Sequence, residues 1–127
     1  IDAKIVDGEY KCVICDGQQV NDKHPRDLAV EAEQMGCGEI IINSIDRDGM
    51  MQGYDLKLVK MIADAVKVPV TAIGGAGGIK DLKQVIQEAG AHAAAGGSMF
   101  VFYGRLRAVL ITAPSEQELT EAGVYHE

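Results

Sequence analysis

The sequence predicts an α/β fold of parallel strands joined by helical crossovers. Three observations carry this reading. Short apolar runs alternate with segments whose apolar residues recur at helical spacing, in the order strand, helix, strand, helix, strand. The connections between them are short, as parallel βαβ units require. Two glycine-rich turns, Gly74-Gly75-Ala76-Gly77-Gly78 and Gly96-Gly97-Ser98, each follow an apolar run and begin 22 residues apart. Such units recur at roughly 25 residues, and about four of them make half of a (βα)8 barrel, which needs at least ~200 residues when whole. A small open α/β sheet gives the same pattern, so periodicity leaves both architectures open.

The elements follow in order. Ile1-Asp2-Ala3-Lys4 reads as the end of a strand. Residues 9–15 are β-like and Asp16-Gly17 is a hairpin turn signal, which predicts a hairpin over 9–21. Pro25 opens a helix, because its fixed φ suits the first turn and its missing N–H has no partner there anyway. His24 or Lys23 stands near the cap; Leu28, Ala29, Ala32 and Met35 form the apolar stripe; Gly36 and Gly38 end the helix. Residues 39–43 form a buried strand, and a polar loop runs from 44 to 53. A helix over 54–66 turns Leu56, Val59, Ile62, Ala63 and Val66 inward. A strand over 68–73 follows, then a helix over 79–89 with Leu82, Val85, Ile86 and Ala89 inward, then a small-residue strand over 91–95. No linker interrupts residues 1–127, which read as a single half-barrel domain.

Composition narrows the function. With 47% apolar and 24% charged residues the chain is a soluble globular type. Its net charge of −7 argues against nucleic acid and anionic membranes as partners. Tryptophan is absent and aromatics are scarce, which leaves little for stacking on nucleobases. No apolar run approaches the ~18–20 residues of a membrane span, and no signal peptide is visible. Three cysteines, an odd number, fit reduced thiols and a cytoplasmic location. The opening at Ile1, without Met, is read as the start of a piece of a longer chain.

Four groups of residues are candidates for chemistry. Glycine lets backbone approach a ligand and leaves N–H groups uncovered, so two such turns on neighbouring strands suit a phosphate; Ser98 adds a hydroxyl donor. Ordinary strand-to-helix turns needing positive φ are the alternative. Asp2, at the end of the first strand, is placed for general acid–base work, or is a surface carboxylate. Asp46, Arg47 and Asp48 set two carboxylates around a guanidinium, able to steer a polar substrate or to brace a turn. Their D-x-D spacing lacks the remaining ligands of a calcium loop. Cys12-Val13-Ile14-Cys15 has metal-like spacing, but zinc needs about four ligands and no second pair exists, so these read as structural thiols. His24, His92 and His126 have no partner pattern and read as structural or exposed. No metal or redox cofactor is expected.

Taken together, Ile-Asp-Ala-Lys at 1–4, Gly-Glu-Ile at 38–40, Ser-Ile-Asp-Arg-Asp-Gly at 44–49, Gly53-Tyr54-Asp55 and Gly74-Gly75-Ala76-Gly77 resemble the C-terminal half of the cyclase subunit of imidazole glycerol phosphate synthase. The resemblance runs through about Phe102. It implies a (βα)8 barrel and an ammonia-dependent lyase of histidine biosynthesis. Such an enzyme converts a bisphosphorylated ribulosyl intermediate into imidazole glycerol phosphate and a carboxamide ribotide. It takes ammonia from a glutaminase subunit. Two opposed aspartates do the acid–base work; the one in this half matches Asp2. The substrate loop matches Asp46, Arg47 and Asp48, and the phosphate site matches Gly75, Gly97 and Ser98 with Gly49 nearby. Ile73 replaces a small polar residue before the glycine pair, and Val20-Asn21-Asp22 replaces Asn-Thr-Gly after the hairpin turn. The tail from Gly97 to Gly104 and from Arg107 to Ile111 is similar to a subgroup linked to ammonia-dependent amidation of a sugar in surface-polysaccharide synthesis. A third reading is a non-catalytic half-barrel that binds phosphate and self-associates.

Overall fold

A computed structural model describes residues 1–15 and 17–125. Its main sheet is laid out by β1 (Asp2–Val6), β2 (Glu9–Ile14), β3 (Gln19–Asn21), β4 (Ile40–Ser44), β5 (Val70–Ile73) and β6 (Ala93–Ala94). The spatial order is β3-β2-β1-β4-β5-β6. β1, β4, β5 and β6 are parallel neighbours in chain order. β1, β2 and β3 form an antiparallel ribbon on the outer edge.

Helices α1 (Pro25–Gln34), α2 (Leu56–Ala63) and α3 (Ile79–Gln87) return the chain between the parallel strands. Alternation decides which face they cover. Ile40, Ile42 and Ser44 of β4 are buried, as are Val70 and Ala72 of β5, and the apolar ones pack with Leu58, Val59, Ile62, Leu82 and Val85. The opposite face carries Ile41, which is 51% exposed, with Thr71 and Ala93 beside it in register. Helices on one face and neighbours in chain order are the staves of a barrel. An open doubly wound sheet would reverse its order and cover both faces. The sheet is a half-barrel and is not closed.

Local chemistry places the helix starts. His24 caps α1, its Nδ1 accepting from the Arg26 N–H at 3.2 Å, with Pro25 in the first turn. Asp55 caps α2 by accepting from the Leu58 N–H at 3.0 Å. Gly78 precedes α3 with no side-chain cap bond.

Four expectations change. Met35 does not join the apolar stripe: α1 ends at Gln34, and Met35 as its C-cap is 76% exposed. The helix expected over 54–66 begins only after the Asp55 cap and ends at Ala63, which leaves Val66 outside it. The last strand shrinks to Ala93–Ala94 because alanines bring no β-branched surface to hold a longer ladder. Ile1 to Lys4 is not the end of a strand. β1 continues to Val6 and turns at Asp7 and Gly8, both at positive φ, into β2. That Asp-Gly pair suits a type I′ hairpin turn. The 9–21 hairpin also forms, with Cys15 and Gly17 at positive φ in its turn; Asp16 lies outside the described residues.

After β6 come a single turn, α4 (Ser98–Val101), a small hairpin, β7 (Phe102–Tyr103) with β8 (Ala108–Val109), and α5 (Glu116–Glu121). α5 starts with a complete capping box between Ser115 and Glu118. No helix among the described residues is long and apolar enough to cross a membrane.

Candidate functional site

The C-terminal ends of β4, β5 and β6 converge on one cavity of about 100 Å³. Its walls come from three loops: Asp48 and Gly49 after β4, Gly74 to Ala76 after β5, and Gly96 to Ser98 after β6. Ile73 closes one side. Of the residues singled out from the sequence, Asp48, Gly49, Gly75, Gly97 and Ser98 are therefore brought together. Asp46 is not. Its carboxylate turns the other way and accepts from the Ile5 N–H at 2.8 Å, bracing the loop against β1. Arg47 also works on the backbone, donating to the Gly53 carbonyl at 3.3 Å.

Gly74 and Gly75 of the first turn are forced by crowding. The Gly53 N–H donates to the Gly75 carbonyl at 2.8 Å, so the β4–α2 loop lies directly on the turn. Gly75 has φ +110, and a Cβ there would sit 2.2 Å from the Gly53 carbonyl oxygen. Gly74 has φ +92 and would drive a Cβ to 2.6 Å from Asn43 Oδ1. Gly97 differs: its φ is negative, and a Cβ would meet nothing within 4 Å. It lines open space.

Such a cavity has the means to hold an anion. The N–H groups of Gly75, Ala76 and Gly97 donate to no protein acceptor among the described residues. Uncovered amides on a turn that opens a helix, with a serine hydroxyl beside them, form a concave donor surface. The Ser98 hydroxyl lies 4.0 Å from where a Cβ on Gly49 would stand, so the first and third walls nearly touch. The Tyr54 hydroxyl ties α2 to the end of β6, donating to the Ala95 carbonyl at 2.7 Å. Burial, with Asp81 assisting, pushes that hydroxyl well above its ordinary pKa, so it stays a donor.

Asp2 lies across the sheet from this cavity. Although it opens β1, it aligns with Asn43 of β4, which aligns with Ile73 of β5. It therefore belongs to the C-terminal layer of the parallel strands, on the face away from the helices. Asn43 Nδ2 donates to Asp2 Oδ1 at 3.1 Å, while Asn43 Oδ1 is buried with no partner among the described residues. Adjacent strands are ~4.8 Å apart, so Asp2 and the cavity are separated by roughly 10–15 Å.

Two contributors escaped the sequence reading. Asn43 was visible as a polar residue ending an apolar strand. Tyr10, on β2, donates to both oxygens of Asp55 at 3.1 Å and so links the ribbon to the α2 cap. Burial first, and then the Asp55 carboxylate, push the Tyr10 hydroxyl up to about 12. The cysteines do not form a site. Cys12 is buried, which raises its thiol pKa, while Cys15 is exposed and Cys37 half-buried, all free. His92 accepts from the Val70 N–H at 3.3 Å; His126 lies outside the described residues.

Sequential parallel strands, helices on one face and a glycine-lined cavity at the strand C-termini define a protein of the βα-barrel class. The chain belongs to the family described as "Histidine biosynthesis protein", a TIM-barrel family whose model matches residues 1–107. A Leptospira borgpetersenii protein named "Putative imidazole glycerol phosphate synthase subunit HisF" is 45% identical over 106 residues, covering 84% of this chain and 42% of the relative. A Pseudomonas aeruginosa protein named "Putative imidazole glycerol phosphate synthase subunit hisF2" is 48% identical over 97 residues, 76% of this chain and 39% of its own. The Haloarcula marismortui imidazole glycerol phosphate synthase subunit HisF is 40% identical over 100 residues, 76% and 37%. The chain spans less than half the length of these relatives.

Proposed function

We propose that this chain forms the C-terminal half-barrel of an ammonia-dependent cyclase of the imidazole glycerol phosphate synthase type. One observation carries the reading: three loops from successive strands meet in a cavity with uncovered amides, at the end of the sheet where Asp2 also lies. The cavity takes a substrate phosphate on Gly75, Gly97 and Ser98, with Asp48 and Gly49 completing the wall. Asp46 acts from outside the cavity, by holding the loop to β1. Asp2 moves a proton at the reacting centre, oriented by the Asn43 amide. The complete enzyme draws ammonia from a glutaminase subunit in the cytoplasm and needs an opposing acid–base group from the other half of the barrel.

A second reading keeps the site and changes the substrate. Ile73 lines the cavity where the resemblance implies a small polar residue, which would offer a phosphate one polar contact more. Amidation of a sugar by the same ammonia-dependent machinery fits that loss.

Ammonia-dependent turnover by the full-length protein tests both, with the histidine-pathway intermediate and with keto-sugars as substrates. Asp2→Asn keeps the side-chain size and should cost roughly 10²–10⁴ in rate with little change in affinity, the scale of general acid–base catalysis. Near-normal turnover in the variant removes Asp2 from the mechanism. Turnover of keto-sugars alone moves the assignment to the second reading.

A further inference from the structure

We propose that Arg107 is an anion-binding residue of this cavity, supplying the cation that its three walls lack. The inference rests on the phosphate reading above and goes beyond it. Among the described residues, the only charged side chain lining the cavity is Asp48, a carboxylate. A phosphate carries close to two negative charges at neutral pH, so these walls alone set like charge against like. The compensating cation comes from the hairpin that follows the third wall. Arg107 Nη2 donates to the carbonyl of Gly49, itself a lining residue.

Two further contacts hold the guanidinium at that rim. It lies over the Phe102 ring, 5.2 Å from its centroid, a cation–π distance. The hairpin is anchored to α4, which begins at Ser98: the Leu110 N–H donates to the Val101 carbonyl and the Thr112 N–H to the Phe100 carbonyl, both at 2.9 Å. Arg107 itself has φ +50, a conformation that side chains rarely adopt and that the hairpin turn imposes. A guanidinium has five N–H donors in a planar fork, and the Gly49 carbonyl occupies one. The other four are the donors that the proposal assigns to the anion, at the rim where Gly49 lines the cavity. Arg105, on the same hairpin, has no such contact among the described residues and serves as the internal control.

The test is the affinity of the full-length protein for inorganic phosphate, measured by equilibrium dialysis in the wild type and in Arg107→Leu, Arg107→Gln, Arg107→Lys and Arg105→Leu. Ligand-free thermal melts accompany each. Loss of a charged hydrogen bond predicts that Arg107→Leu and Arg107→Gln weaken phosphate binding roughly ten- to a hundredfold. Arg107→Lys keeps the charge without the fork and should fall in between; Arg105→Leu should bind as the wild type does. Gln retains a donor for the Gly49 carbonyl. Wild-type affinity in Arg107→Gln would therefore show that Arg107 only ties the loop, and would overturn the proposal while leaving the cavity reading intact. A wild-type protein that binds no phosphate would overturn the cavity reading, and this proposal with it.

Discussion

At the scale of single residues, two glycines of the same cavity make opposite predictions. Gly75→Ala forces a Cβ against the Gly53 carbonyl at 2.2 Å in a left-handed conformation, so backbone has to move. A cost of several kcal/mol is expected, of the order of overpacking plus φ strain, read as a lowered urea midpoint. Gly97→Asp meets open space and should leave the ligand-free melting temperature within a few degrees of wild type. It should nevertheless abolish thermal protection by phosphate, because it puts a carboxylate where the anion sits. Equal protection in the two proteins would contradict the phosphate assignment. Tyr10 makes a prediction about pH. Its folded pKa is raised to about 12 from 10, so the stability it contributes is full below pH ~10 and is lost as pH rises through ~12. Tyr10→Phe should flatten that alkaline limb in urea titrations at several pH values. It should also cost about 1 kcal/mol at neutral pH, because the Asp55 carboxylate loses a donor.

At the scale of elements, Asp55 matters more than a cap usually does. It accepts from Leu58 at the start of α2 and from Tyr10 on the ribbon, and is itself buried. Asp55→Ala should destabilise by about 2 kcal/mol, the upper end for an N-cap, while Asp55→Ser should recover the cap but not the Tyr10 link. A double-mutant cycle of Asp55→Ser with Tyr10→Phe should show coupling near 1 kcal/mol, and full additivity would contradict a shared network. The same helices show what was legible in the sequence. α1, α2 and α3 announce themselves because a 3.6-residue stripe is a local fact, α1 also through its start at Pro25, and the glycine turns do so because the residue type permits positive φ. The Asp7-Gly8 turn carries as local a signal as Asp16-Gly17, an Asp-Gly pair between two β-like runs. The contacts of Arg107 and Asn43 are not legible in the sequence, for a physical reason. Their partners Gly49 and Asp2 lie 58 and 41 residues away, and only the packed sheet brings them together.

At the scale of the whole molecule, the open sheet sets the behaviour of the 127-residue chain. β3 and β6 end the sheet without a neighbouring strand among the described residues. The face away from the helices exposes Ile41, and the tail adds Leu106 and Ile111, exposed by 92% and 82%. Unpaired edges and exposed apolar side chains favour a cover, and a second copy covers both at once. A two-fold dimer would set two half-sheets edge to edge and approximate a closed barrel. Self-association at micromolar concentration is therefore expected by sedimentation velocity. Ile41→Lys should weaken it, since Lys tolerates neither an apolar partner nor its own symmetry mate nearby. Dimerisation would not restore chemistry, because each copy brings an identical Asp2 rather than the opposing group that the proposed mechanism needs. The chain alone should bind phosphate yet give no ammonia-dependent turnover. A monomer that stays folded at high concentration would show that the edges are capped in some other way, and turnover by the chain alone would show that one aspartate is enough.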